Sequence, residues 1–506
     1  MHKNITITNF SFTYQNSIEP IFDNLSIQLE TGWTGVVGAN GSGKTTLLKL
    51  LCGILAYDKG HLGISGSVYY CEQRTDHMPD SFPDFLKSVT KQTYRLKETL
   101  QVQEEWQYRW PSLSHGERKR AQIATALYHN AYLLAIDEPS NHLDQHSKQI
   151  LFNALKSHQG IGLLVSHDRQ LLDNLCKHTL FIIPPKIEIR KNGYGLAVRE
   201  LEREAQHRLH TYTISKQEVK KLKRKVAQQR EKANNADKRR SKGKLNTKDH
   251  DARSKKDLAK LTGRDKVDGR LHHRLKSQLK RAEDRHDRLD FKKNSPLGIS
   301  FNKEISRIKF PLIIHKNTLP LGSVKKLTFP ELTINSDDCI GIIGFNGSGK
   351  STFLEYLINY LAFNPDQILY IPQEIPAKAA EVLINRLHGY PDELKGRLMN
   401  MVSRLGSDPV YLLQTTLPTP GEVRKLLLAE GLMKQAGIII MDEPTNHMDL
   451  PSMECIETAL KECRCTQLLV SHDLVFLEKI VSHYWHFKEA EKNLFSIEVV
   501  PSKAAS

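Results

Sequence analysis

The sequence predicts an α/β protein in which two similar α/β domains stand in tandem, joined by a long basic helical hairpin. Three observations predict it. A series of short motifs occurs twice, in the same order, about 305 residues apart. In each copy a glycine-rich loop separates an apolar strand pattern from a helical one, GWTGVVG before TTLLKLLCGIL and CIGIIG before STFLEYLINYL. Between the copies, residues 211–290 hold 27 Lys or Arg and 12 Asp or Glu. These observations divide the chain at 1–190, 191–295 and 296–506.

Composition narrows the class. A chain of 506 residues is too long for one core and suits two domains of about 200 residues plus a connector. No apolar run approaches the roughly 20 residues of a membrane helix; LLKLLCGILAY already carries Lys49. Efflux of a small molecule by this chain alone is therefore excluded. MHKNITITNF reads as a strand rather than a signal peptide. The seven cysteines are odd in number and scattered, Cys463 and Cys465 read as packing residues, and a reducing cytoplasmic setting is the expectation. Of the net charge of +16, residues 211–290 supply +15, so two near-neutral lobes flank one basic segment. Charge of that density suits a polyanion, and equally a solvated spacer.

The first motif pair is GANGSGKTT, with Gly38, Asn40, Gly41, Ser42, Gly43, Lys44, Thr45 and Thr46, against GFNGSGKST, with Gly344, Asn346, Gly347, Ser348, Gly349, Lys350, Ser351 and Thr352. Glycines let backbone N–H groups curl around phosphates, and the following helix start adds positive potential. Lys44 and Lys350 reach the β- and γ-phosphates of ATP, and Thr45 and Ser351 offer hydroxyls to Mg²⁺. Gln73 and Gln373 follow in CEQ and IPQ, as candidate contacts to the metal or to water. Asp137 and Asp442 end the apolar strands LLAID and IIIMD, where a carboxylate can hold Mg²⁺ through its water shell. Glu138 and Glu443 come next, placed to orient or deprotonate the attacking water. His167 and His472 close GIGLLVSHD and TQLLVSHD, where an imidazole can sense the γ-phosphate. LSHGE (Ser114, Gly116, Glu117) and PTPGE (Thr419, Gly421, Glu422) each precede a helical pattern, so a hydroxyl and helix-start amides can bind a phosphate.

With DEPSNHLD and DEPTNHMD, this set resembles the ATP-binding cassette family, and the Asn-His in both strings resembles its ABC-F subfamily, which fuses two cassettes without membrane domains. The resemblance covers the whole chain and implies two ABC-type P-loop ATPase domains with two ATPs sandwiched between them. Lys44, Glu138 and His167 would then share a site with Thr419 and Gly421. Lys350, Glu443 and His472 would share one with Ser114 and Gly116. Tyr14 in SFTY, 24 residues before Gly38, resembles the family's adenine-stacking aromatic, and the second cassette has no counterpart at that distance. His115 replaces the usual Gly, and Thr419-Pro420 the usual Ser-Gly; ATP binding is expected to persist, with two sites of unequal rate.

The subfamily acts mostly on ribosomes, entering at the tRNA exit site, with a linker hairpin that reaches toward the P-site tRNA and the peptidyl-transferase centre. Here Tyr212, Val219, Leu222 and Val226 fit one coiled-coil seam, and Leu271, Leu275, Leu279, Ala282 and Leu289 a returning one. Lys238, Arg239, Arg240, Lys242, Lys244, Lys248, Arg253, Lys255 and Lys256 crowd the tip, which suits RNA phosphates rather than base readout. Gly38 to Ser114 spans 76 positions and Gly344 to Thr419 spans 75, so no extra arm is expected, and the chain ends 34 residues after His472. That pattern resembles the antibiotic-resistance members that protect the bacterial 70S ribosome, and implies large-subunit rRNA and P-site tRNA as partners of a monomer whose cassettes pair within the chain. A housekeeping factor that rescues stalled ribosomes and the ATPase subunit of a transporter with separate membrane partners are the other readings; the basic connector argues against the latter.

Overall fold

Alternation of apolar strands with helices builds the same parallel sheet twice in the computed structural model. The structure describes residues 4–15, 17–141, 143–240, 264–288, 308–322, 324–361, 367–407, 409–415, 418–434, 436–446 and 448–501. The chain divides into two compact units, one formed by Met1–Ala197 with Ser295–Ser506 and the other by Val198–Asn294.

In the first cassette six strands run in the order Val68–Cys71, Leu133–Asp137, Ile161–Val165, Gly32–Gly38, Cys176–Ile183, Lys186–Arg190. The last pair is antiparallel and the others are parallel. Every residue of Leu133–Asp137 and Ile161–Val165 is buried, as expected of central strands covered on both faces, which is why they read as unbroken apolar runs. The second cassette repeats this order with Ile368–Ile371, Ile438–Asp442, Thr466–Val470, Cys339–Gly344, His483–Glu491 and Leu494–Pro501, then adds Lys325–Phe329 and Asn317–Leu321. Its core gathers Phe329, Trp485 and Phe487 around Phe353, on the helix that follows the second glycine-rich loop. Aromatic pairs of this kind add about 0.5–1.5 kcal/mol each beyond the area they bury.

The phosphate-loop strands are central in both sheets, so their C-terminal ends open where the order of connection reverses, the place where α/β sheets bind ligands. Each loop enters its helix through a left-handed glycine, Gly43 at φ +96° and Gly349 at φ +93°. A Cβ on Gly43 would lie 2.6 Å from Ile21 Cγ2, and one on Gly349 2.7 Å from Leu321 Cδ1, so both positions need glycine for space as well as for φ.

In the unit Val198–Asn294, the helices Tyr194–Arg240 (from Val198 on) and Arg264–Asp287 pair antiparallel. The ring of Tyr212 lies 4.7 Å from that of His286, Arg285 pairs with Glu218 at 3.1 Å, and Lys223 with Glu283 at 3.0 Å. Val219 and Ala282 are buried, and Leu222, Val226, Leu275 and Leu279 half-buried, along the seam. Leu271 departs from the expectation and stays 41% exposed. At its level the partner helix has reached residues whose side chains lie outside the described set. Leu289, Lys242, Lys244, Lys248, Arg253, Lys255 and Lys256 also lie outside the described residues, and Lys238, Arg239 and Arg240 are described only as helical backbone.

Candidate functional site

The two cassettes face each other across two cavities. The first, of about 550 Å³, is lined by Asn40, Gly41, Gly43, Lys44, Thr45 and Thr46 of the phosphate loop and by Thr419, Pro420 and Gly421 of the other cassette. Tyr14, Gln73, Asp137, Glu138 and His167 complete it. The second, of about 370 Å³, takes Asn346, Gly347, Gly349, Lys350, Ser351 and Thr352, with Gln373, Asp442, Glu443 and His472 behind them. Its facing wall is Ser140, Asn141, Leu143, Lys148, Asp168 and His167, the last of which lines both cavities; Ser114 and Gly116 are not in it. Gly38 and Gly344 end the strands below the loops.

Lys44 Nζ donates to the carbonyls of Gly38 at 2.9 Å and Ala39 at 3.0 Å; Lys350 Nζ does the same to Gly344 at 2.8 Å and Phe345 at 2.9 Å. Both ammonium groups are thus folded over their own loops, and burial lowers both pKa values. The Ser42 and Ser348 hydroxyls are buried inside the loops without a hydrogen-bond partner among the described residues, donors that phosphate oxygens would satisfy.

Thr45 Oγ1 donates to Asp137 Oδ2 at 2.7 Å, and Ser351 Oγ to Asp442 Oδ2 at 2.6 Å. A hydroxyl and one carboxylate converging beside a phosphate cradle are hard oxygen donors, the set that Mg²⁺ takes together with phosphate and water. Among the described residues no group of three or more His, Cys, Asp or Glu side chains is arranged to hold a metal. Burial raises the pKa of both Asp137 and Asp442.

Glu138 and Glu443 leave their strands in the left-handed region, at φ +48° and +51°. Their amides donate to Val165 O and Val470 O, each at 2.9 Å, which holds both residues in that costly conformation. Backbone strain of this kind clusters at active sites and ligand clamps, and here it recurs at two equivalent carboxylates. The two environments then differ. His167 Nε2 lies 3.0 Å from Glu138 Oε1. Burial works to raise the Glu138 pKa, but His167 and Lys44 outweigh it and hold the carboxyl below its ordinary range. Glu443 Oε1 is 3.6 Å from His472 Nε2, which instead meets Asn346 Oδ1 at 2.9 Å. There burial wins and pushes the Glu443 carboxyl up to about 7. Burial, with Lys350 and Lys148, lowers the His472 imidazole to about 3, so it is neutral at physiological pH.

Tyr14 opens onto the first cavity, and its hydroxyl lies 2.9 Å from Thr46 Oγ1. Glu117 and Glu422 close capping boxes. Ser114 N donates to Glu117 Oε2 at 2.8 Å and Glu117 N to Ser114 Oγ at 3.3 Å; Thr419 and Glu422 repeat this at 3.1 and 3.4 Å. These carboxylates therefore organise both helix starts, of which the one at Thr419–Gly421 lines the cavity with the opposite phosphate loop.

Sequence reasoning missed several residues. Asn40 N donates to Asp449 Oδ2 of the other cassette at 2.6 Å, and the Asn346 backbone amide bonds Asp144 in the reciprocal place. Each of these aspartates also caps the helix after it, through Ser452 N and Ser147 N, both at 2.9 Å. The repeated D-x-x-S was the available signal. Lys119 Nζ donates to the carbonyls of Glu72 at 3.1 Å and Gln73 at 3.0 Å, while Arg424, at the matching place, donates to Gln373 O and Asn446 O. A buried cation thus pins each glutamine segment to the helix after Gly116 or Gly421. Cys463 and Cys465, read as packing residues, have their sulfurs 2.6 Å apart.

Two Lys-bearing phosphate loops, each with a strand-end Asp-Glu and a His on the neighbouring strand, define a tandem P-loop ATPase. The ABC transporter family model matches residues 22–141 and 327–446, so the chain carries two tandem ATP-binding cassette domains, and the proteins it is similar to include ABC-F proteins. It is similar to "Ribosome protection protein VmlR" of Bacillus subtilis, 29% identical over 95% of this chain and 86% of that one. It is also similar to "Erythromycin resistance ATP-binding protein MsrA" of Staphylococcus epidermidis, 27% identical over 89% of this chain and 91% of that one. Among solved structures, the chain titled "RNase-L Inhibitor" shares the fold at a TM-score of 0.62 and 18% identity, over 98% of this chain and 90% of that one. No helix among the described residues is long and apolar enough to cross a membrane.

Proposed function

We propose that this ATPase acts in the cytoplasm on the bacterial ribosome, where it protects the peptidyl-transferase region of the large subunit from antibiotics. In this reading it binds the 70S particle at the tRNA exit site with ATP held between its cassettes, and its basic linker reaches toward the P-site tRNA. The observation that carries the proposal is a basic helical hairpin standing in the sequence between two ATPase cassettes, in a chain similar over 95% of its length to a ribosome protection protein.

The residues act as follows. Lys44 and Lys350 turn from their own loop carbonyls to the phosphates. Mg²⁺, held by Thr45 with Asp137 and by Ser351 with Asp442, would neutralise charge on the phosphate oxygens. Glu138 and Glu443 orient the attacking water and accept its proton, and His167 and His472 sense the γ-phosphate. Thr419, Gly421 and the helix start behind them close the first site from the opposite cassette. ATP contacts favour the closed pair, and phosphate release removes that bias. The energy moves a cationic hairpin, including Lys238, Arg239 and Arg240, within ribosomal RNA.

The test is a double variant, Glu138→Gln with Glu443→Gln, purified with ATP and mixed with 70S particles. It should hydrolyse at least about a hundredfold more slowly than the wild type and co-sediment with ribosomes. Expression of the wild type in a sensitive bacterium should raise tolerance to lincosamides, pleuromutilins or streptogramins A. Failure of the ATP-loaded double variant to sediment would refute ribosome binding. Sedimentation without any change across a panel of large-subunit drugs would favour the factor that rescues stalled ribosomes.

A further inference from the structure

Among the described residues, buried ion pairing across the paired cassettes is one-sided. The helix Leu450–Glu462 of the second cassette is fastened to the first at two points. Its capping Asp449 receives Asn40 N at 2.6 Å, on the phosphate loop of the first cavity. Two turns on, Glu457 receives Arg169, the second residue after His167. This pair is buried, Arg169 and Glu457 each being 6% exposed, and Lys479 Nζ donates to the second oxygen of Glu457 at 2.7 Å. Glu454 lies one turn back, with Arg169 Nη2 at 3.8 Å from its Oε1 and Tyr194 Oη donating to that oxygen at 3.2 Å.

Among the described residues the reciprocal helix, Gln145–Leu155 of the first cassette, has the fastening from Asp144 to the Asn346 amide but no buried ion pair across the cassettes; its Lys148 pairs with Asp168 of its own cassette at 2.8 Å and acts on Glu443 and Asp473 only through its charge. By the repeat, Leu474 stands in place of Arg169, Phe152 in place of Glu457, Gln149 in place of Glu454 and Asn174 in place of Lys479. None of these four positions carries a charge. The cavities differ accordingly. Thr419 and Gly421 line the first, whereas Ser114 and Gly116 are absent from the second.

We propose that Arg169 and Glu457 form an inter-cassette ionic lock that keeps the first ATP site closed, so that the site of Lys44, Glu138 and His167 retains nucleotide while the site of Lys350, Glu443 and His472 opens and turns over. A buried ion pair contributes little net stability against an apolar pair, yet breaking one partner away leaves a buried charge unpaired. It therefore resists separation, and opening of the first site must separate it. Arg169 is a positioning residue. It lines neither cavity, and it fixes the turn after His167 against the opposite cassette.

The test uses the whole chain without ribosomes, so its failure is independent of the ribosomal reading. The protein is loaded with a photoreactive, non-hydrolysable ATP analogue, desalted, and irradiated at intervals; labelled peptides from the two cassettes are then counted. In the wild type the first-site label should outlast the second-site label by about tenfold, the factor that about 1.4 kcal/mol gives. Arg169→Met should speed loss from the first site to near that of the second, with loss from the second unchanged. Glu457→Gln should do the same, which covers the case in which the first variant folds poorly. Arg169→Lys should stay near the wild type. Equal retention at the two sites of the wild type, or equal acceleration at both sites in Arg169→Met and Glu457→Gln, would overturn the lock.

Discussion

The unequal surroundings of Glu138 and Glu443 make the two ATP sites distinguishable by pH. A carboxylate can accept a proton from water only when ionised. For Glu443, burial raises the pKa to about 7, so the base form appears only as pH rises through that value. A group with a pKa near 7 is about 9% ionised at pH 6 and about 91% ionised at pH 8, a tenfold change in the fraction able to act. Glu138 is held below its ordinary range, with His167 and Lys44 overcoming its burial, so it stays ionised throughout this window. Isolating each site is the perturbation. Glu138→Gln leaves hydrolysis to the second site, and Glu443→Gln leaves it to the first. Steady-state phosphate release, at saturating ATP and constant ionic strength, should rise about tenfold from pH 6 to pH 8 in Glu138→Gln. It should change less than about twofold in Glu443→Gln. Lys148→Met should move the Glu138→Gln midpoint upward, because Lys148 favours the ionised form of Glu443. The same pH profile for both single variants would refute the assignment of different electrostatics to the two bases.

Two further outcomes follow from particular contacts. Asp449→Ala removes both a helix cap and the Asn40 contact, so Tm should fall by about 3 °C for about 1 kcal/mol lost, and ATP affinity should weaken at the first site more than at the second; differential scanning fluorimetry with site-resolved photolabelling reads both, and equal weakening at both sites would count against the contact. Changing Lys238, Arg239 and Arg240 together to Gln should weaken association with 70S particles and lower the slope of log K against log salt by about one per lost phosphate contact, and an unchanged slope would reduce those residues to a solvated spacer.

Much of the fold could be read along the chain because its determinants are local. Parallel strands buried on both faces must be apolar throughout, so LLAID and IIIMD announce themselves. A glycine at φ +96° before a Lys that must cover the loop leaves a short, rigid pattern at Gly43-Lys44. The same holds at Gly349-Lys350, and repetition of the whole series makes each reading support the other. The hairpin seam was legible for the same reason, as apolar side chains recurring at helical spacing.

The site was only half visible in that way. That Glu138 and Glu443 adopt a strained backbone, and that nearly identical strings yield carboxyls shifted in opposite directions, depends on whether a His ring falls 3.0 or 3.6 Å away. Asn40 and Asp449 are 409 positions apart, and Arg169 and Glu457 288 apart, so no local pattern marks them as partners. Ser114 was legible as a helix cap, but its absence from the wall of the second cavity was not. The chemistry each cassette can perform was therefore set by the order of residues, because backbone curvature, charge and strand ends are properties of neighbours in the chain. Which cassette closes on which, and with what electrostatic consequence, was decided only when folding brought distant carboxylates and cations into low-dielectric contact, where a few tenths of an ångström and one buried charge decide which protonation state prevails.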